Sequence, residues 1–257
     1  MAQEIQEMDT EEQHPHHGTK RTISDTSESL RISDTPEKTH RPTKKQKRGV
    51  ITKPRPIAEL KQVPYFPTTI PLADEKEFLA KVENYFPPHR GTCMVFGKLR
   101  NIPRDQVVMG ITEYSYSGQM VQTTPWTPVM LRIKKYVEQK WAEISDQPVN
   151  FDYGLINGYN PEDSVGAHQD NEPSINQTQP IGSVTFIAPG GTPRPFDLWG
   201  TSPITRKIDK SAKWRAILRS RDVIFMRPGV QSEFYHEVPK RKSARGRRYN
   251  ITFRCVK

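Results

Sequence analysis

Apolar positions recur at helical spacing in two stretches and then at a period of two towards the C-terminus. After Asp74, residues Phe78, Leu79, Val82 and Phe86 mark one face of a helix that Pro87-Pro88 ends. A second helix is predicted from Pro128 to about Ile144, with Val129, Ile133, Tyr136 and Val137 on its apolar stripe and Arg132, Lys134, Lys135 and Glu138 outside. Pro64 to Pro71 reads as an extended lead-in, because prolines lack an N–H donor and restrict their neighbours. Further on, Phe151, Tyr153, Leu155, Asn157 and Tyr159 share one face of an alternating run that a turn at Asn160-Pro161-Glu162-Asp163 closes. Ile181 to Ala188 and Asp222 to Met226 are short strands, and Pro189-Gly190-Gly191 is a turn. At the end, Arg248, Asn250, Thr252 and Arg254 alternate with Tyr249, Ile251 and Phe253, which predicts a strand with one cationic face and one apolar face. Helices followed by strands give an α+β chain, and periodicity alone does not tell a barrel from another sandwich.

Composition divides the chain once. Residues 1–56 contain no Trp, Tyr, Phe or Cys and cannot bury enough apolar surface to offset chain entropy, so they are expected to form a disordered tail, with a single domain over 57–257. The tail holds 11 Lys/Arg against 9 Asp/Glu, leaving 28 against 20 for the domain. Much of that excess is local: between Pro239 and Lys257 there are eight basic residues, Lys240, Arg241 and Lys242 among them, and no acid. A focus of this kind suits a polyanion with salt-dependent affinity, although a solvated basic loop reads the same way in isolation. Within the tail, Lys44-Lys45-Gln46-Lys47-Arg48 matches a nuclear localisation signal, a pattern short enough to occur by chance. Cys93 and Cys255 provide neither a disulfide framework nor zinc spacing. With no membrane-length apolar run and no signal-peptide core, the expectation is a soluble, intracellular monomer, nuclear or alternatively cytoplasmic.

The candidate chemistry lies in His168-Gln169-Asp170 and His236. Two imidazoles and one carboxylate can hold non-haem Fe(II) on one face and leave positions open for an oxidant and a co-substrate. In extended backbone His168 and Asp170 point the same way, so a third ligand must come from elsewhere, and His236 is the only histidine downstream. Zinc accepts the same ligands. The arginines of the closing strand supply what zinc hydrolysis does not need, cations shaped for carboxylates, and no acid lies within the last nineteen residues to occupy them.

HxD, the distal histidine and Arg248-Tyr249-Asn250-Ile251-Thr252-Phe253-Arg254 together resemble the AlkB family of Fe(II)/2-oxoglutarate-dependent nucleic-acid dealkylases. The likeness runs from about Val95 to the C-terminus. It includes Val95-Phe96-Gly97-Lys98, Ile102-Pro103-Arg104, Tyr114-Ser115-Tyr116-Ser117-Gly118, Pro125-Trp126-Thr127-Pro128, Leu155-Ile156-Asn157-Gly158-Tyr159 and Phe234-Tyr235-His236 in family order. It implies a double-stranded β-helix, or jelly-roll, with N-terminal helices packed on one sheet. It further implies that Fe(II) sits on His168, Asp170 and His236. Arg248 would hold the distal carboxylate of 2-oxoglutarate with Asn157 and Tyr159, while Asn250 and Thr252 line the pocket and the keto acid end lies near Arg254. With O2, hydroxylation of an N-alkyl carbon then releases an aldehyde and restores the base, a direct-reversal repair of the 1-methyladenine or 3-methylcytosine type.

A methyl on the pairing edge is inside a duplex, so its nucleotide must be flipped out. The resemblance makes Phe96 a wedge filling the vacated stack, Gly97 its turn and Lys98 a phosphate contact, although a core Phe would look the same. It also implies that Tyr116 and the His168 ring sandwich the base beside Tyr114 and that Glu172 accepts from an exocyclic amine. Asn171 departs from the second acid found in the eukaryotic duplex-DNA repair homologues. The finger and Lys240-Arg241-Lys242 favour duplex DNA as partner. The alternatives are an RNA demethylase with the same site and a catalytically idle jelly-roll that only binds nucleic acid.

Overall fold

The computed structural model describes residues 53–95, 97–110, 114–116, 119–121 and 123–257, the side chains at 93–95, 114–116 and 119–121 excepted. The tail with its Lys44–Arg48 cluster and the wedge residue Phe96 lie outside the described residues. Two sheets form the domain. The larger has the order β2 (Tyr65–Phe66), β14 (Val223–Met226), β11 (Ile181–Ile187), β16 (Arg248–Arg254), β9 (Tyr153–Tyr159), β5 (Asp105–Gly110), β8 (Thr123–Thr124). The smaller runs β1 (Arg55–Pro56), β13 (Ile208–Leu218), β12 (Arg194–Thr201), β15 (Phe234–Val238), β10 (Val165–His168). Two hairpins, β3 (Thr92–Val95) with β4 (Lys98–Asn101) and β6 (Tyr114–Tyr116) with β7 (Gln119–Val121), belong to neither sheet. This is the expected jelly-roll, and Arg55 and Pro56, counted with the tail on composition, pair in parallel with β13.

Alternation decides which face each strand buries. Val184, Phe186, Val223, Phe225, Ile251 and Phe253 project from one side of the larger sheet onto α1 (Leu72–Lys81) and α2 (Pro128–Ala142). Phe78 of α1 meets Phe186 at 4.6 Å between ring centroids, and Trp141 of α2 meets Phe225 at 5.3 Å. Pro128 at the first turn is preset for helix, and Thr127 caps it, its hydroxyl accepting from the Met130 N–H. The opposite side of the sheet splits in character: Ile181, Ile224 and Met226 join Phe196, Leu198 and Phe234 of the smaller sheet in an apolar layer, while β9 and β16 turn polar groups inward.

Two local expectations need correction. The strand predicted from Phe151 begins at Tyr153, because the Phe151 N–H donates to Glu138 of α2 at 2.9 Å and its ring turns to the helix side against Phe253. Tyr136 sits at the edge of the α2 stripe, 37 % exposed, and Met130 takes the buried place.

Gly182 of β11 lies close under α2, since a Cβ there would stand 2.7 Å from Val137 Cγ1. Val137 is fully buried and cannot swing away. Gly182→Ala is therefore expected to destabilise the fold by about 1–3 kcal/mol. Urea denaturation measures this, and an unchanged midpoint would show that α2 yields instead.

Candidate active site

β10 and β15 pair antiparallel with His168 directly opposite His236, which brings the two rings to 4.2 Å between centroids. Asp170 follows β10 by two residues and closes the set. One ligand atom from each of His168, Asp170 and His236 lies within 4.8 Å of the others, the separation a single cation needs. His168 Nδ1 is 2.8 Å from the Gly166 carbonyl; a proton there leaves the Nε2 lone pair turned to the site. Burial, and then the neighbouring His168, pull the His236 imidazole down to about 3, so it is neutral and able to ligate at physiological pH. Burial alone would raise the Asp170 carboxyl, but Arg254 and the two imidazoles outweigh it and hold it well below the usual range.

Asp170 is braced from three sides. Its N–H donates to Gln231 Oε1 at 2.8 Å, its carbonyl accepts from Gln177 Nε2 at 3.0 Å, and Arg254 Nη2 donates to Oδ2 at 2.5 Å. The Arg254 pairing corrects the expectation that no acid would occupy it: the partner comes from 84 residues upstream. Nothing local in the sequence marks either glutamine as a brace.

The ligand set opens into a cavity of about 650 Å³ whose lining includes Asn157, Tyr159, Asn250, Thr252 and Arg254. Arg248 is sealed behind them at 2 % exposure and 5.4 Å from the Tyr159 ring. Its Nη2 donates to Thr185 Oγ1 and Asn250 Oδ1, both at 3.0 Å, while Nε and Nη1 are buried with no acceptor. Burial lowers its pKa to about 10, which leaves it cationic at neutral pH. A buried guanidinium with two unused donors and no carboxylate among the described residues is a receptor for an anion. Arg104 also lines the cavity, and its Nε orients Asn157 by donating to Oδ1 at 2.8 Å. Arg104, just before β5, falls in the Ile102-Pro103-Arg104 segment of the family likeness, which carries no sign of this role.

Among the described residues, His168 alone of those expected at the nucleic acid lines this cavity. Gly97 forms the left-handed tip of the first hairpin at φ 73°, and Lys98 beside it is exposed. Tyr114 and Tyr116 lie on β6, their side chains outside the described residues. Asn171 is exposed, whereas Glu172 is half-buried with Oε2 lacking a hydrogen-bond partner. Lys240, Arg241 and Lys242 are exposed, and Arg241 ties their loop to the Pro193 carbonyl.

The family model of the 2OG-Fe(II) oxygenase superfamily matches residues 70–254. The chain belongs to that superfamily. Among curated relatives, the human DNA oxidative demethylase ALKBH2 is 33% identical over 186 residues, 69% of this chain and 66% of that protein. Its mouse counterpart is 32% identical over 189 residues, 70% of this chain and 73% of that protein. The rat alpha-ketoglutarate-dependent dioxygenase alkB homolog 3 is 30% identical over 158 residues, 60% of this chain and half of that protein. The chain thus spans about two thirds of the human ALKBH2 length. The structure of OsALKBH1 superposes with a TM-score of 0.52 at 18% identity, covering 79% of this chain and all of that one, which supports the fold. The superfamily's Fe(II) fits His168, Asp170 and His236, and its 2-oxoglutarate fits the unused donors of Arg248.

Removing Arg248 takes away a buried charge-assisted contact of about 2–3 kcal/mol. Arg248→Ala should therefore raise the 2-oxoglutarate KM on the order of a hundredfold at saturating Fe(II). Steady-state succinate formation reads this directly, and an unchanged KM would place the co-substrate elsewhere.

Proposed function

We propose that this protein is an oxidative DNA demethylase that removes N-alkyl groups from bases such as 1-methyladenine and 3-methylcytosine. The observation that carries the reading is the buried Arg248, which has no carboxylate among the described residues, on the strand whose other end, Arg254, braces the His168, Asp170 and His236 cluster, since a module that only bound nucleic acid would have no use for both a buried anion receptor and a metal site. The DNA substrate is supported by relatives named DNA oxidative demethylase ALKBH2 in human, cow and mouse. Bound iron with 2-oxoglutarate and O2 supplies the oxidation. The chain's residues supply placement: Gln177, Gln231 and Arg254 hold Asp170, and Arg248 holds the co-substrate carboxylate. Glu172, whose carboxyl burial pushes up, offers an unoccupied acceptor oxygen to a base amine. Duplex DNA is favoured over RNA by the exposed Lys240, Arg241 and Lys242 and by the hairpin tip at Gly97. The Lys44–Arg48 cluster favours the nucleus, and the protein acts as a monomer in this reading.

Anaerobic loading with Fe(II) and 2-oxoglutarate, then O2 and mass spectrometry of methylated oligonucleotides, should show loss of one methyl mass in the wild type and none in Asp170→Ala. Near-normal demethylation by Asp170→Ala would sink the iron assignment. Phe96→Ala separates duplex from single-strand work. Filling a vacated stack offsets part of the few kcal/mol that flipping costs in a paired helix, and an unpaired strand incurs less of it. The substitution should lower kcat/KM on methylated duplex about tenfold or more while leaving single-stranded DNA within a fewfold; equal losses would return Phe96 to a core or general pocket role.

A further inference from the structure

The β3–β4 hairpin pairs with neither sheet, and Lys98, Leu99, Arg100 and Asn101 are all exposed, so burial along β4 does not aim it. It is attached at its root. The Ile102 N–H donates to the Gly91 carbonyl at 2.9 Å, and Arg90, just before, grips two acids from other elements. Its Nη1 and Nη2 donate to the two oxygens of Asp163 at 2.9 and 2.7 Å, and its Nε donates to Asp105 at 3.0 Å.

Asp163 is 5 % exposed and has further connections. Its carboxylate accepts the Asn160 N–H at 2.8 Å, closing the turn that follows Tyr159. Its carbonyl accepts from Arg194 Nη2 at 2.9 Å, and the same nitrogen donates to the Pro239 carbonyl, one residue before Lys240, at 3.1 Å. Arg241 returns the contact by donating to the Pro193 carbonyl at 2.9 Å. A turn aspartate needs only the local N–H. Arg90, which reaches its carboxylate from 73 residues away, has no part in making the turn, and Arg194, 31 residues away, joins the turn's Pro161 and Asp163 carbonyls to the Pro239 carbonyl.

We propose that Asp163 is a positioning residue, the hub that fixes the β3–β4 hairpin and the 240–242 basic loop at one separation so that both engage the same duplex. The inference rests on the DNA-demethylase reading and deepens it, because a bidentate arginine–carboxylate pair sets distance and angle together. Neither Asp163 nor Arg90 lines the cavity.

The test uses the full-length chain loaded with Fe(II) and 2-oxoglutarate, and methylated oligonucleotides in duplex and single-stranded form. Asp163→Asn keeps an oxygen for the turn and loses the charge that Arg90 grips. It should raise the duplex KM about tenfold with kcat nearly unchanged and leave the single-strand KM within twofold. Arg90→Met, which also gives up the Asp105 contact, should show the same split at least as strongly, and the double variant should be no worse than Arg90→Met alone, since the pair that Asp163→Asn breaks is already lost there. Should Asp163→Asn fail to fold, Arg90→Met, on the more exposed side of the pair, carries the test alone. Equal losses on both substrates, an unchanged duplex KM or additive single effects overturn the hub. Failure of the wild type on every methylated substrate would overturn the demethylase reading itself, and the hub with it.

Discussion

Arg248 is sealed inside the barrel with no carboxylate partner among the described residues, and that imbalance of charge constrains the cavity around it. An isolated buried cation is costly, so its neighbours must be polar enough to tolerate it and arranged so that an anion can reach it. Thr185 and Asn250 take one nitrogen, and Asn250 also accepts from Ser183 and donates to Thr252, so the inward face of β16 is a linked polar ladder. Arg254 at the other end of the strand is satisfied by Asp170, the acid of the metal cluster. One strand therefore presents a cation to the co-substrate at one end and a brace to the metal site at the other. The apolar layer of Ile181, Phe196, Leu198 and Ile224 borders the site, with Phe196 lining the cavity and stacking on the His236 ring at 5.8 Å.

Asp170 shows why a metal cluster needs more than its ligands. A carboxylate on the segment after a strand end has backbone freedom, and ligand geometry tolerates little of it. Here N–H, carbonyl and side chain are each held by a different part of the chain, and His168 and His236 are set opposite one another by strand register. The Gln231 amide is used at both ends, since its Nε2 donates to Met226 Sδ at 3.2 Å.

Much of this arrangement is legible in the sequence where one strand carries it alone. The inward face of β16 follows from alternation over seven residues, and Pro128 marks the start of α2, whereas α1 ends at Lys81 and passes into a 3-10 turn over Val82–Tyr85, short of the Pro87-Pro88 stop expected for it. β12 and β13 are harder to see. Pro195 and Gly200 interrupt β12, and Pro195 is accommodated because β15 pairs only from Asp197 to Gly200. In β13 the exposed Ile217 breaks the alternation of Lys213 and Arg215 with Trp214 and Ala216. What depends on tertiary pairing is not legible at all: Arg254 with Asp170, the glutamine braces and the reach of Arg90 join residues whose proximity no local pattern encodes.

Residues adjacent in sequence divide the work between the two faces of the larger sheet. Arg248 faces the cavity, whereas Arg247 and Tyr249 on either side of it reach Glu83, in the 3-10 turn after α1, and so hold the segment whose Tyr85, Phe86 and Pro87 form the cavity's outer wall. Gly158, opposite Tyr249 on β9, makes room for this contact, since a Cβ there would stand 2.9 Å from both Arg247 Nη2 and Phe86 Cζ. A side chain at 158 would have to displace either the arginine or the wall. The period of two that turns Arg248 inward thus turns its neighbours outward, and the strand that supplies the anion receptor also anchors the wall enclosing it.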